Sequence, residues 1–389
     1  MLNVALIGIG NCGNQIAALA KHEADVDVAC INTSENDLAI LPEDLRDCSF
    51  LIGDSQGSGK NRENAKKFLK SAVTKLVGDD KFKQIIADKD LIFVVSSTGG
   101  GTGSGIAPIM SSIIRQAFRD EEGREKPIIL IGVLPKLSEG QSTQVNTLEY
   151  LHEVYDVLAD DQPTYMLYDN NKYAKESSSA VLQKINADII SDIKVMKLTY
   201  NTPTPFDSID EKDMKTICFD PGRIVVASAF NIKEKDLDEV SIEDLIINNL
   251  KINGHAEIQR DGIVSKTGLI TNLSEKLNDS FDSHLNKVRG FIGEPVEEFL
   301  HIAINKERDM PNNVALIISG LSKIDDRIDK IEDRIKEIEE RQKEQESTKR
   351  ESSFDEDEIA NFNAKKNVRS NTTSESQADL KGTFAKFGL

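Results

Sequence analysis

The sequence predicts an α/β protein with a parallel, Rossmann-like sheet domain, a long central helix, a second smaller α/β domain, and a C-terminal helix with a disordered tail. Three observations predict this order. Apolar strand patterns alternate with helical patterns, glycine-rich turns follow two of those strands, and the composition becomes almost entirely polar after Ser322. The 389 residues exceed one ordinary core, so two domains and a tail are expected.

Five apolar segments in the first half have the pattern of buried strands, at 2–8, 26–32, 90–97, 127–134 and 165–168. Helical patterns lie between them, for example at 14–22 and 61–77. Strands that alternate with helices in this way form βαβ units, and these predict a parallel sheet.

A long central helix is predicted over 176–198, where apolar residues recur at helical spacing, namely Val181, Leu182, Ile185, Ile189, Ile190, Ile193 and Met196. Two prolines make 201–207 a loop. Further strands are predicted at 223–230 and 313–320, with helices between them. These elements predict the second, smaller α/β domain.

The C-terminal part begins with a charged helical pattern whose isoleucines alternate in spacing between four and three, at Ile324, Ile328, Ile331, Ile335 and Ile338. A seam of only about two heptads favours a helix lying on its own domain over a free coiled coil. From Ser347 the polar composition predicts disorder. Residues 365–389 carry five basic and two acidic residues, and they end with Phe384, Phe387 and Leu389. That end is either a short binding motif or an inert terminus.

The predicted organisation therefore has five parts: a first α/β domain at 1–175, the central helix at 176–200, a second α/β domain at 201–321, a charged helix at 322–346 and the tail at 347–389.

Composition excludes several classes of function. A net charge of −18 repels phosphate backbones, so direct binding of nucleic acid is not expected. The four cysteines are scattered without a CxxC pair, and no cysteine–histidine cluster has metal-ligand spacing. We expect no signal peptide and no membrane span, which together predict a cytoplasmic protein.

The stretch from Gly99 to Gly105 contains five glycines in seven residues, GGGTGSG, between an apolar strand and a helical pattern. A glycine-rich turn that opens onto a helix N-terminus lets several backbone N–H groups converge on anionic oxygens, and the helix dipole adds to them. Thr102 and Ser104 offer hydroxyl donors. This pattern predicts a phosphate site, because a flexible linker is unusual between a strand and a helix of a βαβ unit.

Two other glycine loops match the dinucleotide-binding and P-loop motifs only in part. Residues 8–15, GIGNCGNQ, fit the G-x-G-x-x-G spacing, but Asn32 and Thr33 stand where a dinucleotide site has an acidic residue. Residues 53–61, GDSQGSGKN, lack both the glycine spacing of a P-loop and the Ser or Thr after Lys60. Neither motif identifies a site alone.

The motifs together resemble the tubulin/FtsZ family. GNCGNQI (10–16) is similar to the first nucleotide loop of tubulin, and INTSENDL (31–38) to the second-strand loop of the division protein FtsZ. GGGTGSG (99–105) matches the family signature, PKLSEG (135–140) resembles the loop with an acidic ribose contact, and YDNNKY (168–173) resembles a further nucleotide segment. These matches occur in the family's order over about 1–320.

The resemblance implies a GTP-binding domain that uses GTP or GDP with Mg²⁺. The nucleotide contacts that it implies are Gly10, Asn11, Cys12, Gln15, Asn32, Gly99, Gly100, Gly101, Thr102, Gly103, Ser104, Glu139, Asn170 and Asn186. Glu139 takes the place of the ribose contact, and Asn186 that of the asparagine that recognises guanine. An amide can accept from and donate to a base edge. Without the resemblance, Asn186 would be an ordinary helical asparagine.

Asp210 and Asp213 are the candidate catalytic residues. They are three residues apart and share a face at a predicted helix start, where acidic residues usually serve only as partners of the helix dipole. The family resemblance implies instead that such a pair enters the nucleotide site of the next subunit and polarises the attacking water. The active site would then be completed by head-to-tail assembly into an open filament.

Within the family, three features resemble the plasmid- and phage-borne TubZ group: the DNNK-x-x-KES run at 169–177, the loop at 53–60, and the charged helix with its tail. That resemblance implies a filament that partitions or positions plasmid or phage DNA through an adaptor protein bound to the tail. Thr143 replaces an arginine of FtsZ, and Leu182 lies near the position of a base-stacking aromatic residue.

Three alternatives remain at this point. One is a phage-DNA-centring or cell-division filament. Another is a dinucleotide-binding metabolic enzyme, which Asn32 and the GGGTGSG loop disfavour. The third is a filament protein without hydrolysis, which the presence of Asp210 and Asp213 disfavours.

Overall fold

A computed structural model describes residues 1–119, 123–157, 162–200, 208–233, 240–257, 262–275, 281–305, 312–322 and 324–351. Residues 1–335 form one compact unit, and the remaining C-terminal residues form a second.

A ten-stranded sheet organises the first unit. In chain order its strands are β1 (Val4–Ile9), β2 (Asp27–Asn32), β3 (Ser49–Leu51), β4 (Leu91–Ser97), β5 (Ile128–Leu134), β6 (Thr164–Asp169), β7 (Ile224–Ile232), β8 (Ile263–Ser274), β9 (Glu294–Asn305) and β10 (Asn312–Leu321). Their spatial order is β3-β2-β1-β4-β5-β6-β7-β10-β8-β9. Neighbouring strands among the first seven in this spatial order all pair in parallel. Strand β10 is antiparallel to β7 and to β8, and β8 pairs in parallel with β9.

Eleven α-helices belong to the described part of the chain. They are α1 (Gly10–Ala24), α2 (Glu35–Ala39), α3 (Arg62–Gly78), α4 (Asp80–Ile86), α5 (Thr102–Ala117), α6 (Gln141–His152), α7 (Ser178–Lys197), α8 (Glu211–Cys218), α9 (Ile242–Ile252), α10 (Phe281–Ile292) and α11 (Asp325–Glu351). A short 3₁₀ helix, Asn170–Tyr173, follows β6 directly.

Two hydrophobic cores lie on opposite faces of the sheet, because successive strand residues point to opposite sides. Leu6 of β1 belongs to one core, together with Ile16 of α1 and Ile185 of α7. Ile7, the next residue, belongs to the other core, together with Ile106 of α5. The central strands are therefore buried on both faces, which is why their sequences are continuous apolar runs.

The predicted fold class is confirmed, and the main strands lie within a residue or two of their predicted positions. The central helix runs from Ser178 to Lys197, against the predicted 176–198. Strands β3, β8 and β9 were not predicted, and α11 continues to Glu351, beyond the predicted end at 346. The predicted loop at 201–207 and the tail from 352 lie outside the described residues. The five domain boundaries stay a prediction.

Candidate functional site

The predicted nucleotide loops follow the carboxyl ends of parallel strands. The loops after β1, β2, β4, β5 and β6 leave neighbouring strands that run in the same direction, so they meet at one edge of the sheet. In open α/β sheets this edge is where ligands bind. The sequence predicts nucleotide contacts on all five of these loops.

The first loop and the glycine signature contact each other through their backbones. Gly10 has φ of +74°, and a Cβ atom there would lie 3.1 Å from the Gly103 nitrogen. A side chain at Gly10 would therefore be strained and would push the two loops apart. In turn, a Cβ on Gly103 would lie 2.9 Å from the carbonyl oxygen of Ile9. Glycine is needed at these positions because the backbones of the two loops are in direct contact.

The loop at 53–61, which failed the P-loop test, packs against the signature from the other side. A Cβ on Gly101 would lie 2.3 Å from Ser58 Oγ and 2.7 Å from the Asn61 nitrogen. Thr102 Oγ1 lies 3.2 Å from Ser58 Oγ and 2.7 Å from Thr33 Oγ1. Three loops are thus joined by one hydroxyl cluster, and the Thr102 hydroxyl is engaged within it.

Helix α5 begins at Thr102 inside the signature. Its N-cap, Gly101, has no side chain that could accept from the first amides of the helix. These amides are ordinarily free at a helix N-terminus, and the helix dipole favours an anion beside them. The hydroxyl of Ser104 donates to the Gly100 carbonyl, so it holds the loop in shape. The arrangement can bind phosphate oxygens through backbone N–H groups.

Asn146 of α6 holds two of these loops together and was not found by sequence reasoning. Its Nδ2 donates to the carbonyls of Lys60, Gly99 and Gly100 at 3.1, 3.2 and 3.2 Å. Asn146 is only 8% exposed. A lone asparagine in a helical pattern gives no signal in the sequence, so its role became visible only with the fold.

Asn32, at the end of β2, is buried and organises the loop that follows. Its Oδ1 accepts from the amides of Thr33 at 2.8 Å and Ser34 at 3.3 Å. Its Nδ2 donates to Asp37 at 3.3 Å. Asn32 thus forms an Asx turn, a role that an asparagine fills through its own side chain.

Asn11, Cys12 and Gln15 lie on the first turns of α1. Asn11 and Gln15 are exposed, and Gln15 Nε2 donates to Asn11 Oδ1 at 3.2 Å. Cys12 packs against the core, and burial raises the pKa of its thiol to about 12. The thiol therefore stays protonated at neutral pH and is no nucleophile.

The loops with Glu139 and Asn170 lie side by side. The amide of Leu137 donates to Asn171 Oδ1 at 3.2 Å, which joins the two loops directly. Glu139 is exposed, and its Oε1 accepts from the amide of Lys136 at 2.8 Å. Asn170 Oδ1 is buried and finds no donor within the described part of the protein. An unpaired buried acceptor is costly unless a ligand supplies a donor.

Asn186 is half-exposed on α7, one turn after Leu182, whose exposed fraction is 41%. Residues four apart share a helix face. The two side chains therefore offer an amide beside an accessible apolar surface. This combination suits a nucleobase, which has a polar edge and an apolar face.

Asp210 and Asp213 are not brought together with these loops. Lys215 of α8 donates to Asp90 at 3.1 Å, and the N-terminal amine pairs with Glu211 at 3.5 Å. Asp90 precedes β4, so α8 lies at the amino edge of the sheet. The seven residues of β4 separate that edge from the signature, which is roughly 20 Å at the usual rise of a strand.

The acidic pair caps α8. Asp210 Oδ1 accepts from the Asp213 amide at 2.9 Å, and Asp213 Oδ2 accepts from the Asp210 amide at 3.1 Å. The hydrogen bond from the Asp213 amide holds the pKa of Asp210 below its ordinary value. Asp210 is therefore ionised at neutral pH, and the reciprocal hydrogen bonds of the two side chains stabilise the helix start.

Among the described residues, no group of three or more His, Cys, Asp or Glu side chains could hold a metal ion. The described helices include none that is long and apolar enough to cross a membrane.

Glycine-lined loops, a helix N-terminus and an accessible amide at the carboxyl edge of a parallel sheet are typical of nucleotide-binding α/β proteins. Residues 3–177 match the model of the Tubulin/FtsZ family, GTPase domain. This match assigns residues 3–177 to the GTPase domain of the tubulin/FtsZ family, whose members are GTPases.

Relatives in sequence include two branches of this family. The tubulin-like protein CetZ of Thermococcus kodakarensis is 27% identical over 307 residues, which cover 74% of this chain and 76% of the relative. The tubulin-like protein TubZ of Clostridium botulinum C phage is 29% identical over 177 residues, 44% of this chain and 46% of the relative. Because the CetZ similarity is the more extensive of the two, membership in the TubZ group stays a prediction.

A solved structure with the same fold is the GTPγS-form protofilament of TubZ from Bacillus thuringiensis serovar israelensis. It matches with a TM-score of 0.71 and 15% identity, over 89% of this chain and 94% of that one. At this identity the match shows the shared fold alone.

Proposed function

We propose that the chain hydrolyses GTP and assembles head to tail, with each active site formed by two subunits. The observation that carries this proposal is the position of the two candidate half-sites. The nucleotide loops lie at the carboxyl edge of the sheet, whereas the acidic pair lies at the amino edge. One chain cannot bring them together, but two chains stacked in the same direction can.

Such a contact joins different surfaces of two identical subunits. A contact of this kind continues indefinitely unless its rotation closes a ring, so it produces an open filament. Hydrolysis then requires assembly, since a monomer holds nucleotide without the acidic pair. Asp210 is exposed and its lowered pKa keeps it ionised at neutral pH, and Asp213 is half-exposed beside it. These positions suit groups that orient and polarise a water molecule in the next subunit's site.

Several residues would hold the nucleotide. Backbone N–H groups of the signature, Gly99 to Ser104, would bind the phosphates, with Gly10, Asn11, Cys12 and Gln15 of the first loop beside them. Glu139 and Asn170 would contact the sugar, and Asn186 would bind the guanine edge. Bound Mg²⁺ would neutralise phosphate charge. Asn32 would support the site by fixing the conformation of the loop whose Thr33 hydroxyl contacts Thr102.

The test combines pelleting with phosphate release for the full chain in Mg²⁺ and GTP, GDP or ATP. We expect GTP alone to drive pelleting, with a turnover that rises steeply with protein concentration. Asp213→Asn retains an oxygen acceptor for the α8 cap, so the variant should fold and assemble. It should hydrolyse GTP at no more than about a hundredth of the wild-type rate. Equal turnover at all concentrations, or equal use of ATP, contradicts the proposal.

A narrower proposal concerns cargo. We propose that the filament partitions or positions plasmid or phage DNA through an adaptor bound to the tail. The net charge of −18 disfavours direct contact with DNA, while residues 365–389 carry a net positive charge and apolar side chains at their end. Deletion of residues after 345 should abolish adaptor capture and leave GTP turnover intact. Unchanged capture contradicts this narrower proposal.

A further inference from the structure

Arg327 of α11 is a buried cation that contacts two loops of the candidate site. Its Nε lies 2.7 Å from Asp169 Oδ2, and one terminal nitrogen lies 3.1 Å from Asp169 Oδ1 and 2.6 Å from the Pro135 carbonyl oxygen. The exposed fractions of the Arg327 and Asp169 side chains are 5% and 8%. The planar guanidinium bonds both oxygens of the carboxylate with parallel N–H groups and reaches the carbonyl as well, a fixed geometry that a lysine ammonium does not reproduce.

The two partners of Arg327 lie where the candidate sugar loops begin. Asp169 ends β6, and its Oδ1 also accepts from the Asn171 amide at 2.9 Å, capping the turn that carries Asn170. Pro135 directly follows β5 and opens the loop that carries Glu139. Arg327 therefore bridges the two loops at their base, in addition to the backbone pairing of Leu134 with Asp169 and the hydrogen bond from Leu137 to Asn171.

Helix α11 makes a second contact with the Glu139 loop. Arg334, two turns beyond Arg327, donates from Nε to the Leu137 carbonyl at 3.1 Å. Ile324 and Ile331 are fully buried, so the start of this helix is packed against the rest of the compact unit. The first turns of α11 therefore contact the Glu139 loop at two points along its length.

From these contacts we infer that Arg327 is a positioning residue for recognition of the ribose. It holds the Glu139 and Asn170 loops at the spacing at which a carboxylate and an amide oxygen both accept from sugar hydroxyls. The unpaired, buried Oδ1 of Asn170 is the acceptor that such a hydroxyl would satisfy. The inference rests on the proposed function, because it presumes that GTP binds at these loops.

The test compares the affinities of GTP and 2′,3′-dideoxy-GTP, which lacks both ribose hydroxyls. The wild-type protein should bind GTP about tenfold more tightly, as expected for hydrogen bonds to those hydroxyls. Arg327→Lys keeps the buried charge but cannot hold both loops. We expect it to weaken GTP binding about tenfold and to leave dideoxy-GTP binding nearly unchanged, so that the ratio of affinities falls towards one.

Arg115→Lys is the matched control, because Arg115 is also buried and pairs with a carboxylate, Glu125, and a backbone carbonyl. It lies in the last turn of α5, away from the nucleotide loops. This variant should lose stability and retain the wild-type ratio. A merely structural role for Arg327 would weaken binding of both nucleotides equally.

The outcomes separate the inference from the proposed function. If the wild-type protein binds neither nucleotide, the proposed function fails. Suppose instead that the wild-type protein binds GTP. The positioning role of Arg327 is overturned if the wild type does not discriminate between GTP and dideoxy-GTP. It is also overturned if Arg327→Lys keeps the wild-type ratio of the two affinities, including the case in which both affinities fall equally. Only a selective loss of GTP binding supports it.

Discussion

Asn146 shows how much a single buried amide can organise. Its two N–H bonds are shared among three carbonyls on the signature loop and on the loop at 53–61. Both loops carry many glycines, whose backbones lose much freedom on ordering. A fixed donor between them therefore shapes the phosphate site before any nucleotide binds.

Asn146→Ala should lower the free energy of unfolding by about 1–3 kcal/mol, because it removes the side-chain amide that donates to the buried Gly99 carbonyl and to two further carbonyls. It should also weaken GTP binding, since the signature loop is no longer held in place. Urea unfolding and nucleotide titration measure the two effects. Asn146→Asp, which places an acceptor against three acceptors, should be worse in both assays. Unchanged GTP affinity in both variants would contradict the organising role.

The cysteines make a second prediction at this scale. Burial raises the pKa of Cys12 and of Cys30 to about 12, and it raises the pKa of Cys48 and Cys218 as well. Only the thiolate reacts with iodoacetamide, so labelling of Cys12 at pH 8 should be roughly a thousandfold slower than that of glutathione. Mass spectrometry of the Cys12 peptide checks this. In urea, all four thiols should react readily, and fast labelling of folded Cys12 would refute its burial.

At the scale of elements, the capping role of Asp210 in α8 can be tested through stability, without measuring catalysis. Asp210→Ala removes an acceptor from the Asp213 amide, and it should lower the urea midpoint, whereas Asp210→Asn retains an oxygen acceptor and should lower it less. The folded-state pKa of Asp210 is depressed, so its ionised cap stabilises the protein above the unfolded value of 3.8. That contribution is lost as the pH falls through the folded pKa.

Urea midpoints measured between pH 2 and pH 7 check this pH dependence. The difference between wild type and Asp210→Asn should be present at pH 5 to 7 and vanish at the acid end. A difference that is constant across the range would show that the carboxylate does not act as an ionised cap.

Elements could be predicted from the sequence where one physical rule dominated. Strands β1, β4 and β5 are buried on both faces, so continuous apolar runs identified them. Strand β3 has only three residues, and β9 carries acidic residues near its start, so neither gave a clear pattern. Pairing with neighbours that are distant in sequence decided both.

The same contrast holds for the site. The glycine loops could be predicted because close backbone approach demands glycine at fixed spacing. Asn146 and Arg327 could not, since each lies in a helical pattern in which a single polar residue is ordinary. Their functions arise from carbonyls and a carboxylate contributed by other parts of the chain.

At the scale of the whole molecule, the central claim is that the two edges of the sheet form one active site across a subunit contact. The polarity of a parallel sheet makes this arrangement simple. In the proposed filament, the loops at the carboxyl ends hold the nucleotide of one subunit, and α8 at the amino ends of its neighbour supplies the carboxylates. Stacking in one direction repeats the site at every contact.

The most direct test mixes two inactive variants. Gly100→Asp places a carboxylate in the phosphate loop, where a Cβ meets only the Ser97 hydroxyl oxygen at 3.1 Å, so it should fold but bind GTP poorly. Asp213→Asn keeps the nucleotide loops and loses one catalytic carboxylate. Co-pelleting of the labelled variants confirms that both enter the same polymer.

Phosphate release by the equimolar mixture is the decisive measurement. If each site combines one subunit's loops with the next subunit's acidic pair, random mixing makes about one contact in four competent, and activity should return to about a quarter of the wild-type rate. Each variant alone should stay nearly inactive. A mixture that co-pellets but releases no more phosphate than the separate variants would contradict a site shared between subunits.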